Sequence, residues 1–89
     1  MKTIVSVIGK DAVGITSKVS NVCAECNANI LDITQSVLQD MFVMVMLTEI
    51  KELNCSFAAF SDKMKSLGEK EKLDIRVMHE EIFNSMHRI

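Results

Sequence analysis

The sequence predicts an α+β fold of the ferredoxin-like type, a βαββαβ sandwich. Its four-stranded antiparallel sheet carries two helices on one face, and a short C-terminal helical tail follows. Three observations point there. Four segments, residues 2–8, 29–39, 41–50 and 73–78, are β-branched-rich, apolar or alternating in the way strands are. Between the first and second, and again between the third and fourth, apolar residues recur every three or four positions, one face of a helix. Two right-handed βαβ crossovers in that order make a split βαβ sheet with both helices on the same side. The 89 residues suffice for one domain, residues 1–89, and not for a catalytic plus a regulatory one.

Each element has its own warrant. Residues 2–8 are rich in Ile and Val and end at Gly9, a strand of ordinary length. A turn from Gly9 to Gly14 follows, with Asp11 the expected cap of the next helix. Ile15, Val19, Val22, Cys23 and Cys26 form that helix's apolar stripe, and Asn27, which tolerates positive φ, stops it. Residues 29–39 read as a mixed-polarity strand and Asp40 as a tight turn. The next strand is apolar at every position from 41 to 47, as a strand covered on both faces would be. Asn54 or Ser56 caps a second helix whose stripe is Phe57, Phe60, Met64 and Leu67, with Gly68 near its end. Leu73, Ile75 and Val77 alternate with polar or outward positions as a fourth strand. In the tail, residues 80–89, the spacing of Ile82, Phe83, Met86 and Ile89 fits a short amphipathic helix.

Composition narrows the function. Ten basic residues face twelve acidic ones, a net charge of −2 that gives no general pull toward nucleic acid or anionic lipid. Trp and Tyr are absent, and Phe57 and Phe60 sit in a helix rather than on a sheet where bases could stack. The longest apolar run spans residues 41–47, far short of the roughly 20 needed to cross a membrane. The first residues read as a strand, not a signal peptide, so a soluble cytoplasmic protein is expected. Two helices cover only one face of such a sheet, so the tail or a second copy must cover the apolar residues on the other. A two-fold homodimer is therefore expected.

No catalytic constellation stands out, and the chain is read as a non-enzyme without cofactor or metal. His79 and His87 lie outside any Ser–His–Asp order and are read as packing or dimer-contact residues. Cys23 and Cys26 match C-x-x-C, but in the second half of a helix, where the dipole opposes a thiolate. With Cys55 the count is odd, and no paired spacing completes a zinc site, so Cys23 and Cys26 are expected to pack as small apolar residues. Gly9 and Gly14 have the G-x-x-x-x-G spacing of a phosphate loop, yet Ile15 stands where that loop needs Lys, which argues against nucleotide hydrolysis. What remains is a helix N-terminus whose backbone N–H groups favour an anion such as a carboxylate.

Gly9-Lys10-Asp11-x-x-Gly14-Ile15, then a helix, then Ala28-Asn29-Ile30-x-Asp32-Ile33 resembles the ACT domain. Together with Ile33-Thr34-Gln35-Ser36-Val37, Phe42-x-Met44 and the ending from Ile82 to Ile89, the whole chain looks like the small stand-alone ACT-domain proteins, similar to the ACT halves of the glycine-cleavage repressor. The resemblance implies the βαββαβ fold and regulation by a small molecule, usually an amino acid, bound where two domains meet. It implies ligand contacts at Asp11, Ala12, Val13, Gly14 and Ile15 and at Asn29. Some amino-acid-binding members carry Asn where this chain has Asp11 and a polar residue where it has Gly9. Free-standing chains of this kind must pass their signal to another, unidentified protein. The alternative reading is a dimerisation or docking module without ligand, using the sheet and the tail.

Overall fold

The computed structural model describes residues 1–86. It contains β1 (Lys2–Lys10), α1 (Ile15–Cys26), β2 (Asn29–Leu38), β3 (Met41–Glu49), α2 (Phe57–Glu71), β4 (Leu73–His79) and α3 (Glu80–Met86). The sheet order is β2-β3-β1-β4 and every pairing is antiparallel. This is the expected βαββαβ sandwich with a short helix after it. The end of the expected tail, His87 to Ile89, lies outside the described residues.

Register explains which residues are buried. Val5 pairs with Met46 and Val77, and Val7 with Met44 and Ile75, so these side chains share one face. Strand side chains alternate between faces, so the odd-numbered positions of β1 all point there. Ile15, Val19, Cys23 and Cys26 of α1 and Phe60 and Met64 of α2 close over that face and complete the core. Phe60, Met44, Met46 and Met64 are completely buried, so the mass of the core is three flexible thioethers around one ring.

The opposite face is only partly covered. β3 was expected to be enclosed on both sides, but its buried residues, Phe42, Met44, Met46 and Thr48, all lie on the helix side. Val43, Val45 and Leu47 on the other side are half-buried, and Ile8 and Met41 are 44% and 45% exposed. Ile4 faces this side by register yet is buried. It lies at the end where α3 packs against β1 and β4, so the chain's own tail shields that corner.

Local chemistry sets the boundaries, sometimes against expectation. Asn27 ends α1 in the left-handed region at φ 61°, as its side chain permits. Ser56 caps α2, its Oγ accepting from the Ala59 N–H at 3.0 Å. Gly9 does not open a loop. It sits inside β1, opposite Phe42 and Leu73, where a Cβ would fall 2.5 Å from Leu73 Cδ2. Gly68 lies near the end of α2 as expected, and the helix runs on to Glu71 and stops at Lys72 in the left-handed region. Asp11 does not cap α1. Gly14 at φ 85° holds that position, and no side chain bonds the first turn. Asp11 lies three positions before the Gly14 cap, with Ala12 and Val13 between, and its carboxylate does not serve as the cap. β2 carries a register shift between Ile30 and Asp32, which leaves Leu31 bulged outward and 44% exposed.

Candidate functional site

The turn between β1 and α1 is built on two features. Gly14 takes a backbone conformation that side-chain-bearing residues rarely adopt, and this turns the chain sharply into the helix. The Asp11 N–H donates to the Asp40 carbonyl at 2.7 Å, tying the turn to the hairpin between β2 and β3. The first helical hydrogen bond runs from the Lys18 N–H to the Gly14 carbonyl at 3.0 Å. The N–H groups of Ile15, Thr16 and Ser17 precede it, so they have no partner within the helix. The first turn also contains no acidic residue that would neutralise the positive end of the dipole.

The side chains here divide sharply. Asp11, Ala12 and Val13 are exposed, Val13 almost completely at 98%. Ile15 is buried in the core, so only its backbone could meet a ligand. The Thr16 hydroxyl donates to Gln35 Oε1 at 2.9 Å, bracing the first turn of α1 against β2.

Asn29 is elsewhere. It opens β2 opposite Glu49, whereas the turn lies by the other end of that strand. The 12 residues of α1 intervene, about 18 Å at 1.5 Å per residue. Within one chain the structure thus brings Asp11 to Ile15 together and leaves Asn29 at the far end of the sheet. A cleft of about 390 Å³ beside it is lined by Ala24, Asn27, Ala28, Asn29 and Glu52. Its wall is tightly tied, since Asn27 Nδ2 donates to the Glu52 carbonyl at 2.7 Å and Asn54 Nδ2 to the Glu25 carbonyl at 2.8 Å. A larger hollow of about 470 Å³ lies between α2 and β4, on the opposite edge of the sheet, with Lys65, Glu69 and Arg76 on its walls. Helix length alone, read from the apolar stripe, would have announced the separation of Asn29 from the turn.

The remaining candidates are structural. Cys23 and Cys26 are buried in the core as small apolar packers. Burial, and secondarily the neighbouring Cys26, pushes the Cys23 thiol up to about 11. His79 stacks on Phe57 with ring centroids 4.4 Å apart and planes 18° from parallel. Its Nδ1 and the Oγ of Thr3, its cross-strand neighbour, are buried with no hydrogen-bond partner. Neither could be foreseen, because the contact joins the two ends of the chain. Among the described residues no group of three or more His, Cys, Asp or Glu side chains could hold a metal ion. No described helix is long and apolar enough to cross a membrane.

Comparison with known proteins agrees with this architecture. The ACT domain family profile matches residues 2–78. A UPF0237 protein of Methanocaldococcus jannaschii is 43% identical over 88 residues, 99% of this chain and 98% of its own. Among solved structures, an ACT domain protein from Streptococcus pneumoniae superposes with a TM-score of 0.80 at 32% identity, covering 93% of both chains. A glycine cleavage system transcriptional repressor shares the fold with a TM-score of 0.70 at 19% identity, over 85% of this chain and 43% of its own. With its sheet order, its helix placement and a profile match across nearly all of its strands and helices, the chain belongs to the ACT domain family.

Proposed function

We propose that this chain is a non-catalytic regulatory module of the cytoplasm that binds a small molecule, an amino acid, as a homodimer and signals to a partner protein. The observation that carries the reading is the first turn of α1. It leaves backbone donors without a side-chain cap or an acidic residue in the turn, and the exposed carboxylate of Asp11 stands three positions before Gly14 in the same connection. An α-amino acid has a carboxylate for the first and an ammonium for the second, and charge-assisted hydrogen bonds of both kinds are the strong ones. Gly14 leaves room for a ligand backbone to approach, since among the described residues beyond its chain neighbours the nearest atom to its absent Cβ is Lys18 Cε at 3.9 Å.

The dimer supplies what one chain lacks. β2 is an edge strand whose residues from Leu31 to Leu38 are all exposed, among them Leu31, Ile33, Val37 and Leu38. An uncovered edge of that kind invites pairing with a second strand. If β2 pairs antiparallel with its two-fold mate, Asn29 comes alongside the far end of the partner's β2. That end is the one tied to the Asp11 turn. Asn29 could then join the ligand site across the interface.

Thermal unfolding against a panel of free amino acids tests the reading. A ligand at 100 times its dissociation constant adds about 2.7 kcal/mol to the folded state. Each kcal/mol moves the midpoint of a domain this size by roughly 4–8 °C. A selective rise that Gly14→Val abolishes supports the site. A panel without effect, on protein shown to be folded, overturns it in favour of a docking module without ligand. Deleting residues 80–89 and measuring partner capture would then be the next step.

A further inference from the structure

Cys55 comes to Cys26 through the loop between β3 and α2. The Asn54 N–H donates to the Cys26 carbonyl at 3.0 Å, and Asn54 Nδ2 donates to the Glu25 carbonyl at 2.8 Å. Together with the bond from Asn27 Nδ2 to the Glu52 carbonyl, these clamp the loop on the C-terminal turn of α1. The next residue, Cys55, is half-buried and packs against the core cluster that contains Cys26. Cys55 is close enough to Cys26 to raise its thiol. A disulfide needs Cα atoms roughly 4.4–6.8 Å apart and side chains aimed at each other, and the Asn54 clamp holds the residue before Cys55 against the backbone of Cys26.

We propose that Cys26 and Cys55 form a reversible intrachain disulfide when the protein meets a peroxide. Their accessibilities divide the roles. Cys55 is the partly exposed thiol and takes the oxygen: its sulfur attacks hydrogen peroxide, the O–O bond breaks, and Cys55 becomes a sulfenic acid with release of water. Cys26, fully buried, is shielded from peroxide and acts second. Its sulfur attacks Cys55 Sγ, the S–O bond breaks, and a second water leaves with the Cys26 proton. Overall two thiols and one hydrogen peroxide give one disulfide and two waters, and a small thiol reductant reverses the change. Cys23 is not the partner. It lies one turn earlier in α1, whereas the loop that carries Cys55 is bonded to the Cys26 carbonyl. Burial, and then the neighbouring Cys55, raises the Cys26 thiol, which disfavours its own reaction with peroxide. The linkage would fasten α1 to the loop that walls the cleft beside Asn29.

The test uses the full chain treated with hydrogen peroxide, then unfolded in acid, alkylated and digested with trypsin. Cleavage after Lys18, Lys51 and Lys63 puts Cys26 in peptide 19–51 and Cys55 in peptide 52–63. A crosslink between these peptides, two hydrogens lighter than their sum, is expected in the wild type and in Cys23→Ala. It should be absent in Cys26→Ala and in Cys55→Ser. The oxidised protein should stay monomeric with respect to disulfides and unfold roughly 10 °C higher or more, because the bond closes a loop of about 30 residues in the unfolded chain. Met1 and Met41, 71% and 45% exposed, report that peroxide has reached the protein. Free thiols at positions 26 and 55 once those methionines are sulfoxides would overturn the proposal. So would a crosslink that depends on Cys23 or joins two chains.

Discussion

Substituting Gly68 by alanine sets two opposing effects against each other. Gly68 lies within α2, where alanine is the better helix former by about 0.8–1.0 kcal/mol. With no neighbours, Gly68→Ala would stabilise the protein by that amount. The neighbours decide otherwise. A Cβ here would stand 2.7 Å from the Leu73 carbonyl oxygen and 3.3 Å from Ile75 Cγ1. The first contact is with backbone, so no rotamer change relieves it, and α2 must lift off β4 by several tenths of an ångström. Overpacking of this kind costs about 1–3 kcal/mol, and a backbone contact puts the cost near the upper end. The net expectation is a loss of about 1–2 kcal/mol, a fall of roughly 4–16 °C in the midpoint. Circular dichroism melts of the two proteins at equal concentration decide it. A midpoint equal to or above that of wild type would refute the argument and mean that the α2–β4 contact is looser than its geometry indicates.

Other perturbations read other parts of the molecule. Thr34 is exposed near the middle of β2, so in a two-fold antiparallel β2 pair Thr34→Lys sets two like charges close together. Sedimentation equilibrium should then show a shift from dimer toward monomer without loss of helical signal, and an unchanged mass would exclude β2 as the interface. The Lys18 ammonium, 2.6 Å from Glu71, joins α1 to α2 and by its hydrogen bond holds the Glu71 carboxyl below the ordinary range. Since the folded-state value is the lower one, the pair stabilises the protein above the ordinary carboxylate range and loses that contribution as pH falls through the folded value. Glu71→Gln should flatten this acid limb in melts between neutral pH and about pH 3, by a small amount that added salt reduces further. An acid limb identical in both proteins would show the bridge to be without thermodynamic effect.

Much of the fold was legible because it rests on local rules. Periodicity identified the strands and both helix stripes, and the conformational tolerance of Asn27 and the hydroxyl of Ser56 marked helix ends where they occur. The glycines were harder. Gly9 and Gly68 look like punctuation in sequence, yet each is needed where two elements approach too closely for a Cβ, which only the tertiary structure reveals. Asp11 was legible as a turn residue but not in its role, because the left-handed Gly14 takes the capping position itself. Of the candidate site, the turn was readable as a unit. The separation of Asn29 from the turn was implicit in the length of the α1 stripe, whereas the approach of Cys55 to Cys26 was not readable, since it depends on how a loop folds back.

The length of α1 has a consequence for how a dimer would titrate. A helix that holds the turn and Asn29 at opposite ends of one chain makes each protomer carry two unlike halves. A two-fold axis that joins one chain's turn to the partner's Asn29 must make the reciprocal junction as well. Ligand would therefore be taken up at two equivalent positions per assembly, each spanning both chains. Filling the first would fix the mutual orientation that the second requires, so the saturation curve could be steeper than a hyperbola, a shape forbidden to an isolated chain with one independent site.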